Sequence, residues 1–331
     1  MIENDFNHAR FEPGAVAGHY ESYFVRANHP SRPLAFWVRY TVFSPVGRPR
    51  DAIGELWAVW FDGESGRHVV AKTEVPIAEV SLDRTGLGVC IGSATLRPCA
   101  AHGSAESRDC RINWNLSWTG GQKPLYLLPP DLYDKGLPKA KSLVAAPLAK
   151  FVGEIDVYGE THRIEDWPGS QNHNWGSQHT DRYAWGQVCG FDQAPESFLE
   201  VATAQIKLGP IWTPRLTPLV LRHGGDEYAL RGIVQALRAH GQVQYFDWHF
   251  RARGPGGVEV VGNIHAEREA FVGLKYYNPP GGEKWCLNSK LAACRVRLRR
   301  PGREAVVLES RSRAAFEILT DDIRHGVEIR T

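Results

Sequence analysis

The residues best equipped for chemistry lie midway along the chain, between Gly169 and Phe191, where His173, Asn174, His179, Asp181, Tyr183 and Gln187 fall within fifteen positions. From Tyr183 the residues alternate strictly. Tyr183, Trp185, Gln187, Cys189 and Phe191 take one face and Ala184, Gly186, Val188 and Gly190 the other, which predicts a β-strand with one large face and one nearly bare. The large face offers stacking surface and hydrogen-bond handles, and the bare one lets a backbone or a ligand come close. The strand is therefore read as the wall of a binding cavity, or else as a sheet-packing strand.

Several chemistries are set aside by spacing. His173 and His179 have five residues between them, and on one strand that separation is about 20 Å, so no metal is expected unless the chain turns between them. Neither a Gly-x-Ser-x-Gly elbow nor a glycine-rich phosphate loop before a helix is present, so no cofactor is expected. What remains is binding, or acid–base chemistry in an aromatic cavity, where a buried carboxyl has a raised pKa and exchanges protons near neutrality. Glu21, Glu200 and Asp181 are the carboxylates of interest, either in that role or as partners of arginines such as Arg26, Arg39 or Arg182.

The elements around this stretch read as strands. Phe36–Val42 and Gly54–Asp62 alternate and are closed by Ser44-Pro45 and Asp62-Gly63 turn signals. Further candidates are 68–73, 87–95, 111–118 and 150–161 before the central stretch, and 197–207, 243–253, 257–266, 295–298, 305–308 and 314–319 after it. Residues 120–149, with five prolines, read as turn-rich. Helix and strand compete only over 226–240, where strand is preferred although Ala229, Ile233, Ala236 and Leu237 fit a 3.6 period. Short alternating runs with almost no amphipathic helix predict an all-β chain of sandwiches or barrels.

A length of 331 residues exceeds what one core usually holds, which predicts two domains, over 1–165 and 166–331. Lysine and arginine total 39 against 37 aspartate and glutamate, too balanced for a nucleic-acid footprint. The basic run Arg295–Arg300 alternates with Val296 and Leu298 and reads as a strand with one solvated face. The six cysteines form no Cys-x-x-Cys pair and are expected as free thiols. With no signal-like start and no apolar run of about 18 residues, a soluble cytoplasmic protein is expected.

The words His173-Asn-Trp-Gly176 and Tyr183-Ala-Trp-Gly-Gln187, with Glu55-Leu-Trp-Ala-Val-Trp-Phe-Asp62, Tyr277-Asn-Pro-Pro-Gly281 and Cys286-Leu-Asn-Ser-Lys-Leu-Ala292, resemble the AttH-like and carotenoid-hydratase (hydroxyneurosporene synthase) superfamily, with tocopherol cyclase a more distant likeness. The resemblance spans nearly the whole chain. It implies two packed lipocalin-like (calycin) antiparallel β-barrels, with an apolar ligand in a cavity and the Asn-Trp-Gly stretch near the domain junction. Hydratase-like members carry an aspartate two positions before that asparagine, a candidate proton donor to an isoprenoid double bond. Here the position is Asn172, an amide that cannot supply a proton.

The expectation is thus a protein that binds an isoprenoid- or lipid-like molecule and catalyses a cofactor-free proton transfer on it, or a non-enzymatic carrier of such a ligand. His173 and Tyr183 are the expected proton donors. Trp57, Trp60, Asn172, Asn174, Trp175, Trp185, Gln187, Trp248, Tyr276 and Tyr277 are the expected ligand contacts. The expected partner is the hydrophobic small molecule, with peripheral membrane contact as a loading route and no nucleic acid.

Overall fold

The computed structural model describes residues 5–331 and is almost entirely antiparallel β. Two large sheets follow one another along the chain. The first has twelve strands and is nearly closed into a barrel. Its path runs from Val69–Pro76 through Ile53–Asp62, Leu34–Ser44 and His19–Asn28 to Glu160–Gly176, then through Ala140–Val157, Cys110–Gly120 and Ala100–Ser107 to three short strands within 80–97. The second sheet has ten strands. Arg182–Cys189 sits inside it between Phe198–Gln205 and Arg303–Thr320, and the latter pairs with Glu283–Arg300. The change of sheet falls in the turn between Gly176 and Arg182, and position 165 lies within the Glu160–Gly176 strand.

The strands that meet between the sheets are apolar on both faces, the pattern of a strand with no solvated side. Leu34–Ser44 sends Phe36, Val38 and Tyr40 into the first barrel, where Tyr23, Trp60, Trp114 and Phe151 join them. Its opposite face sends Ala35 and Trp37 into an inter-sheet layer with Phe24, Trp57, Phe61, Trp185, Leu274, Tyr276 and Leu319. The second barrel has its own core around Leu199, Val201, Trp248, Phe250 and Phe316.

Four sequence expectations are corrected. His19–Asn28, for which no strand was expected, is a central strand of the first sheet. The single strand over 150–161 is a hairpin bend: Tyr158 and Gly159 have φ of 56° and 82°, the signs a tight two-residue turn requires, and they separate Ala140–Val157 from Glu160–Gly176. Much of the turn-rich 120–149 segment is therefore strand. Residues 226–240 divide into the strand Asp226–Leu230 and the short helix Ile233–Arg238, whose start is tied by the Gly232 N–H donating to Gln235 Oε1 at 3.0 Å. No helix among the described residues is long and apolar enough to cross a membrane.

Candidate functional site

The two faces of Arg182–Cys189 go where alternation sends them, but the space on the large side is not a barrel lumen. Ala184 and Val188 join the second barrel core. Gly186 lies on the same face, and a Cβ there would come within 2.3 Å of Ile264 Cδ1 and 3.0 Å of Trp248 Cζ3, so glycine permits the close approach. Tyr183, Trp185, Gln187 and Cys189 turn toward the first sheet. Phe191 departs from the expected face: Gly190, at φ 84°, ends the alternation and turns Phe191 into the second core.

Between the sheets is a cavity of about 150 Å³. Phe24, Trp37, Leu127, Trp185, Ala202 and Pro218 supply apolar wall; Arg39, Lys141, Ser142, Asn174, His179 and Glu317 supply polar groups, with Tyr20, Tyr183 and Tyr276 offering both. Each sheet contributes through its strand register. Asn174 stands opposite Ser22 and Phe24 opposite Arg39 in the first sheet, while Trp185 stands opposite both Ala202 and Glu317 in the second.

Behind the Trp185 wall is a buried polar chain that crosses the junction. Gln187, fully buried, donates from Nε2 to Asn172 Oδ1 at 2.8 Å and to Glu200 Oε2 at 3.3 Å. Its Oε1 accepts from Ser170 Oγ at 2.7 Å and Arg26 Nη1 at 3.2 Å. Trp185 Nε1 donates to Glu200 Oε1 at 3.0 Å. Burial pushes the Glu200 carboxyl up to about 7, against the opposing hydrogen bonds from Trp185 and Gln187 and the influence of the nearby cavity-lining Ser142 hydroxyl. Glu200 is thus a buried acid that changes protonation state near neutrality, one hydrogen bond behind the cavity wall.

His173 lies elsewhere. It alternates with Asn172 and Asn174, so its ring points away from the cavity, stacked on Tyr23 at 3.9 Å with Nε2 2.8 Å from Glu21 Oε1. Its Nδ1 has no hydrogen-bond partner, which fits a neutral ring donating through Nε2, and burial takes its pKa down to about 4. Glu21 collects the Arg10 N–H at 2.9 Å, the Phe11 N–H at 2.7 Å and the Tyr23 hydroxyl at 3.2 Å as well. Burial alone would raise its pKa; the hydrogen bonds from His173 and His19 outweigh it and hold Glu21 well below the usual carboxylate range. This group ties the N-terminal segment to the first sheet.

Of the expected site residues, the fold brings Asn174, Tyr183, Trp185 and Tyr276 to the cavity. Burial raises the Tyr183 and Tyr276 hydroxyls well above the ordinary phenol range, leaving them neutral hydrogen-bonders. Asn172 and Gln187 form the chain behind the wall. Trp57 belongs to the inter-sheet layer, 4.3 Å from Lys72 Nζ. Trp175 lies under Arg10 at 3.7 Å, on the His173 side of its strand. Tyr277 is half-buried against Phe43 and Lys72. Trp60, stacked on His162, and Trp248, donating to Thr203 Oγ1 at 3.1 Å, occupy the two separate barrel cores because alternation points them inward. Sequence reading did not assign Arg39, Lys141, Ser142 or Glu317 to the site. Arg39 carried a signal: a charge set among Phe36, Trp37, Val38 and Tyr40 in a strand without a solvated face.

A two-barrel, calycin-type architecture with a closed inter-sheet layer and a mixed apolar and polar cavity is the class that fold and site define. Comparison with solved structures makes this specific: the chain has the AttH-like fold. A protein assigned as an AttH from Nitrosomonas europaea superposes with a TM-score of 0.57 at 14% identity, covering 96% of this chain and 100% of that one. Kievitone hydratase from Nectria haematococca gives 0.56 at 11% identity, covering 94% and 91%. CghA gives 0.59 at 12% identity, covering 97% and 96%. In sequence, an uncharacterized protein found in two strains of Mycobacterium tuberculosis is 26% identical over 290 residues, 86% of this chain and 82% of that protein. No family model matches the chain.

Proposed function

We propose that this protein binds an apolar small molecule between its two sheets and catalyses a cofactor-independent proton transfer on it, of the hydration, isomerisation or cyclisation type. The observation that carries the reading is Glu200, a fully buried carboxyl with a pKa of about 7 that accepts a hydrogen bond at 3.0 Å from Trp185, a residue of the cavity wall. The resemblance places an acid at position 172, where this chain has an amide. Glu200 stands on the far side of Gln187 from Asn172, so a proton source is retained on the neighbouring sheet. Neutral Glu200 is the proton source, and the Ser142 hydroxyl of the cavity lining relays it, taking the Glu200 proton as it gives its own to the ligand; the carboxylate left behind is stabilised by Trp185 Nε1–H and Gln187 Nε2–H. That one structural relative is named a hydratase agrees with this chemistry.

The test uses geraniol, farnesol and β-ionone as probes. Quenching of tryptophan fluorescence reports binding, and mass spectrometry in D₂O reports deuterium or water incorporation. Binding lost in Ala202→Trp, which fills the cavity, and incorporation lost in Glu200→Gln while binding persists, are the expected results. Binding with no incorporation in the wild-type protein leaves a carrier. Binding unaffected by Ala202→Trp removes the cavity from the account altogether.

A further inference from the structure

We infer that the cavity takes an apolar molecule with an anionic head, a carboxylate or comparable oxyanion, and that Arg39 is the residue that holds it. The inference rests on the inter-sheet cavity being a ligand site and adds the charge of what fills it.

Arg39 lies between Trp37 and Thr41 on the strand face turned to the second sheet, and it is 6% exposed. A guanidinium stays charged in a protein, and burying it is costly unless an anion or a full set of acceptors compensates. Arg39 has no paired anion and few acceptors: Glu55 and Glu317 favour its charge only from beyond ion-pair range, and they are paired with Lys72 and Lys290. Its Nη2 donates to Ser22 Oγ at 3.1 Å, its Cζ lies 4.4 Å from the Tyr276 ring centre, and its Nε–H has no acceptor. Among the described residues no carboxylate is in ion-pair range of it.

The other buried cations are served differently. Lys290 pairs with Glu317 at 2.7 Å and Lys72 with Glu55 at 2.8 Å. Arg26 also lacks a carboxylate and an acceptor for its Nε–H, but its other nitrogens donate to Asn28, Gln187 and the Arg313 carbonyl, and it does not line the cavity. Arg39 therefore combines burial, missing partners and access to empty space.

The cations and open donors of the lining support the same sign of charge, although Asn174 Oδ1 is an open acceptor there. Lys141 adds a second cation, with Nζ held by the carbonyls of Lys135 at 2.7 Å and Pro138 at 3.0 Å. Glu317 is the lining carboxylate, but Lys290 and Asn288 already occupy it. Trp37 Nε1–H is a further buried donor without a partner. Donors therefore remain open where Arg39 and Trp37 meet the cavity, and a guanidinium edge matches the two oxygens of a carboxylate. The aromatic and aliphatic wall receives the apolar body.

Three isosteric probes separate the contributions: 2-naphthoate, 2-naphthalenemethanol and 2-naphthylmethylammonium, titrated calorimetrically at pH 8 and low salt. Naphthoate is expected to bind about tenfold or more tighter than the alcohol, as for a charge-assisted hydrogen bond, with the ammonium weakest. Arg39→Met should remove that advantage while leaving the alcohol within about twofold, and Arg39→Lys should restore part of it. In the wild-type protein, naphthoate should shift the Arg39 Nε–H resonance in ¹⁵N NMR and the alcohol should not; this readout stands even if the variants fold poorly. Equal binding of naphthoate and alcohol, or an Arg39→Met effect equal on both, overturns the inference and leaves the cavity reading intact. Failure of all three probes to bind overturns both.

Discussion

Two carboxylates on neighbouring faces of the same fold are driven in opposite directions, and the difference is made by their donors. Glu21 receives two backbone N–H groups and three side-chain donors, so it stays ionised. Glu200 meets neutral donors in a fully buried setting, and desolvation prevails. A carboxyl raised from 4.5 to about 7 in the folded protein contributes stability that is fully present below the unfolded pKa and is lost as pH rises toward 7. Glu200→Gln fixes the neutral form. The stability of this variant relative to wild type should therefore rise by roughly 3 kcal/mol between pH 4.5 and pH 8, measured by urea unfolding. Glu21 carries the reverse sign: its contribution is present at neutral pH and is lost in acid below the ordinary carboxylate pKa. His173→Ala should cost about 2–4 kcal/mol, through the lost ring packing and the loss of one of the donors to Glu21 Oε1, yet leave β-ionone affinity unchanged. A change in affinity without a change in stability would reverse the placement of His173.

At the level of single strands, Arg182–Cys189 serves two spaces at once. Its bare face lets Trp248 and Ile264 pack against the backbone, and its large face walls the cavity. Gly186→Val adds volume where Ile264 and Trp248 leave none, and a destabilisation of about 1–3 kcal/mol or more is expected by thermal or urea unfolding. Because Gly186 faces the second core, probe affinity in the folded fraction should be unchanged. Trp185→Ala acts from the opposite face. It removes cavity wall and a donor to Glu200, so it should weaken apolar probes and also raise the Glu200 pKa further, seen as an upward shift in a ¹³C carboxyl titration.

For the molecule as a whole, the junction between the sheets is held by apolar packing and by buried ionic groups that span it. Asn28 and Arg26 of the first sheet donate to carbonyls of Lys290 and Arg313 in or beside the second, and Lys290 in turn pairs with Glu317. Removing one partner of a buried pair leaves the other uncompensated, so Glu317→Leu should cost about 3–5 kcal/mol. The double variant Lys290→Met with Glu317→Leu should recover most of that loss, as an unfolding midpoint closer to wild type. Such a cycle also shows whether the halves unfold together: a single transition in both barrels is expected while the junction is intact, and two transitions in Glu317→Leu.

Alternation along the chain was enough to establish an all-β protein, the strand over 183–189 and its two unequal faces, because period-two burial is written in consecutive residues. The short words around Asn174 and Trp185 also pointed to the AttH-like fold. Sequence could not say which enclosed space each apolar face enters. Trp37, Trp60 and Trp248 have the same signature in the chain and lie in three different interiors. The His19–Asn28 strand was missed because Glu21, Ser22, Arg26 and Asn28 look solvated in sequence, whereas all four are buried by partners more than a hundred residues away or by neighbouring strands. The cavity was hidden for the same reason: Arg39 of the first sheet and Glu317 of the second come from strands far apart in sequence and line one space only when the two sheets pack. Burial and charge pairing across that junction, rather than local pattern, decide that Glu200 titrates near neutrality, that His173 is a neutral support, and that Arg39 is left facing open space.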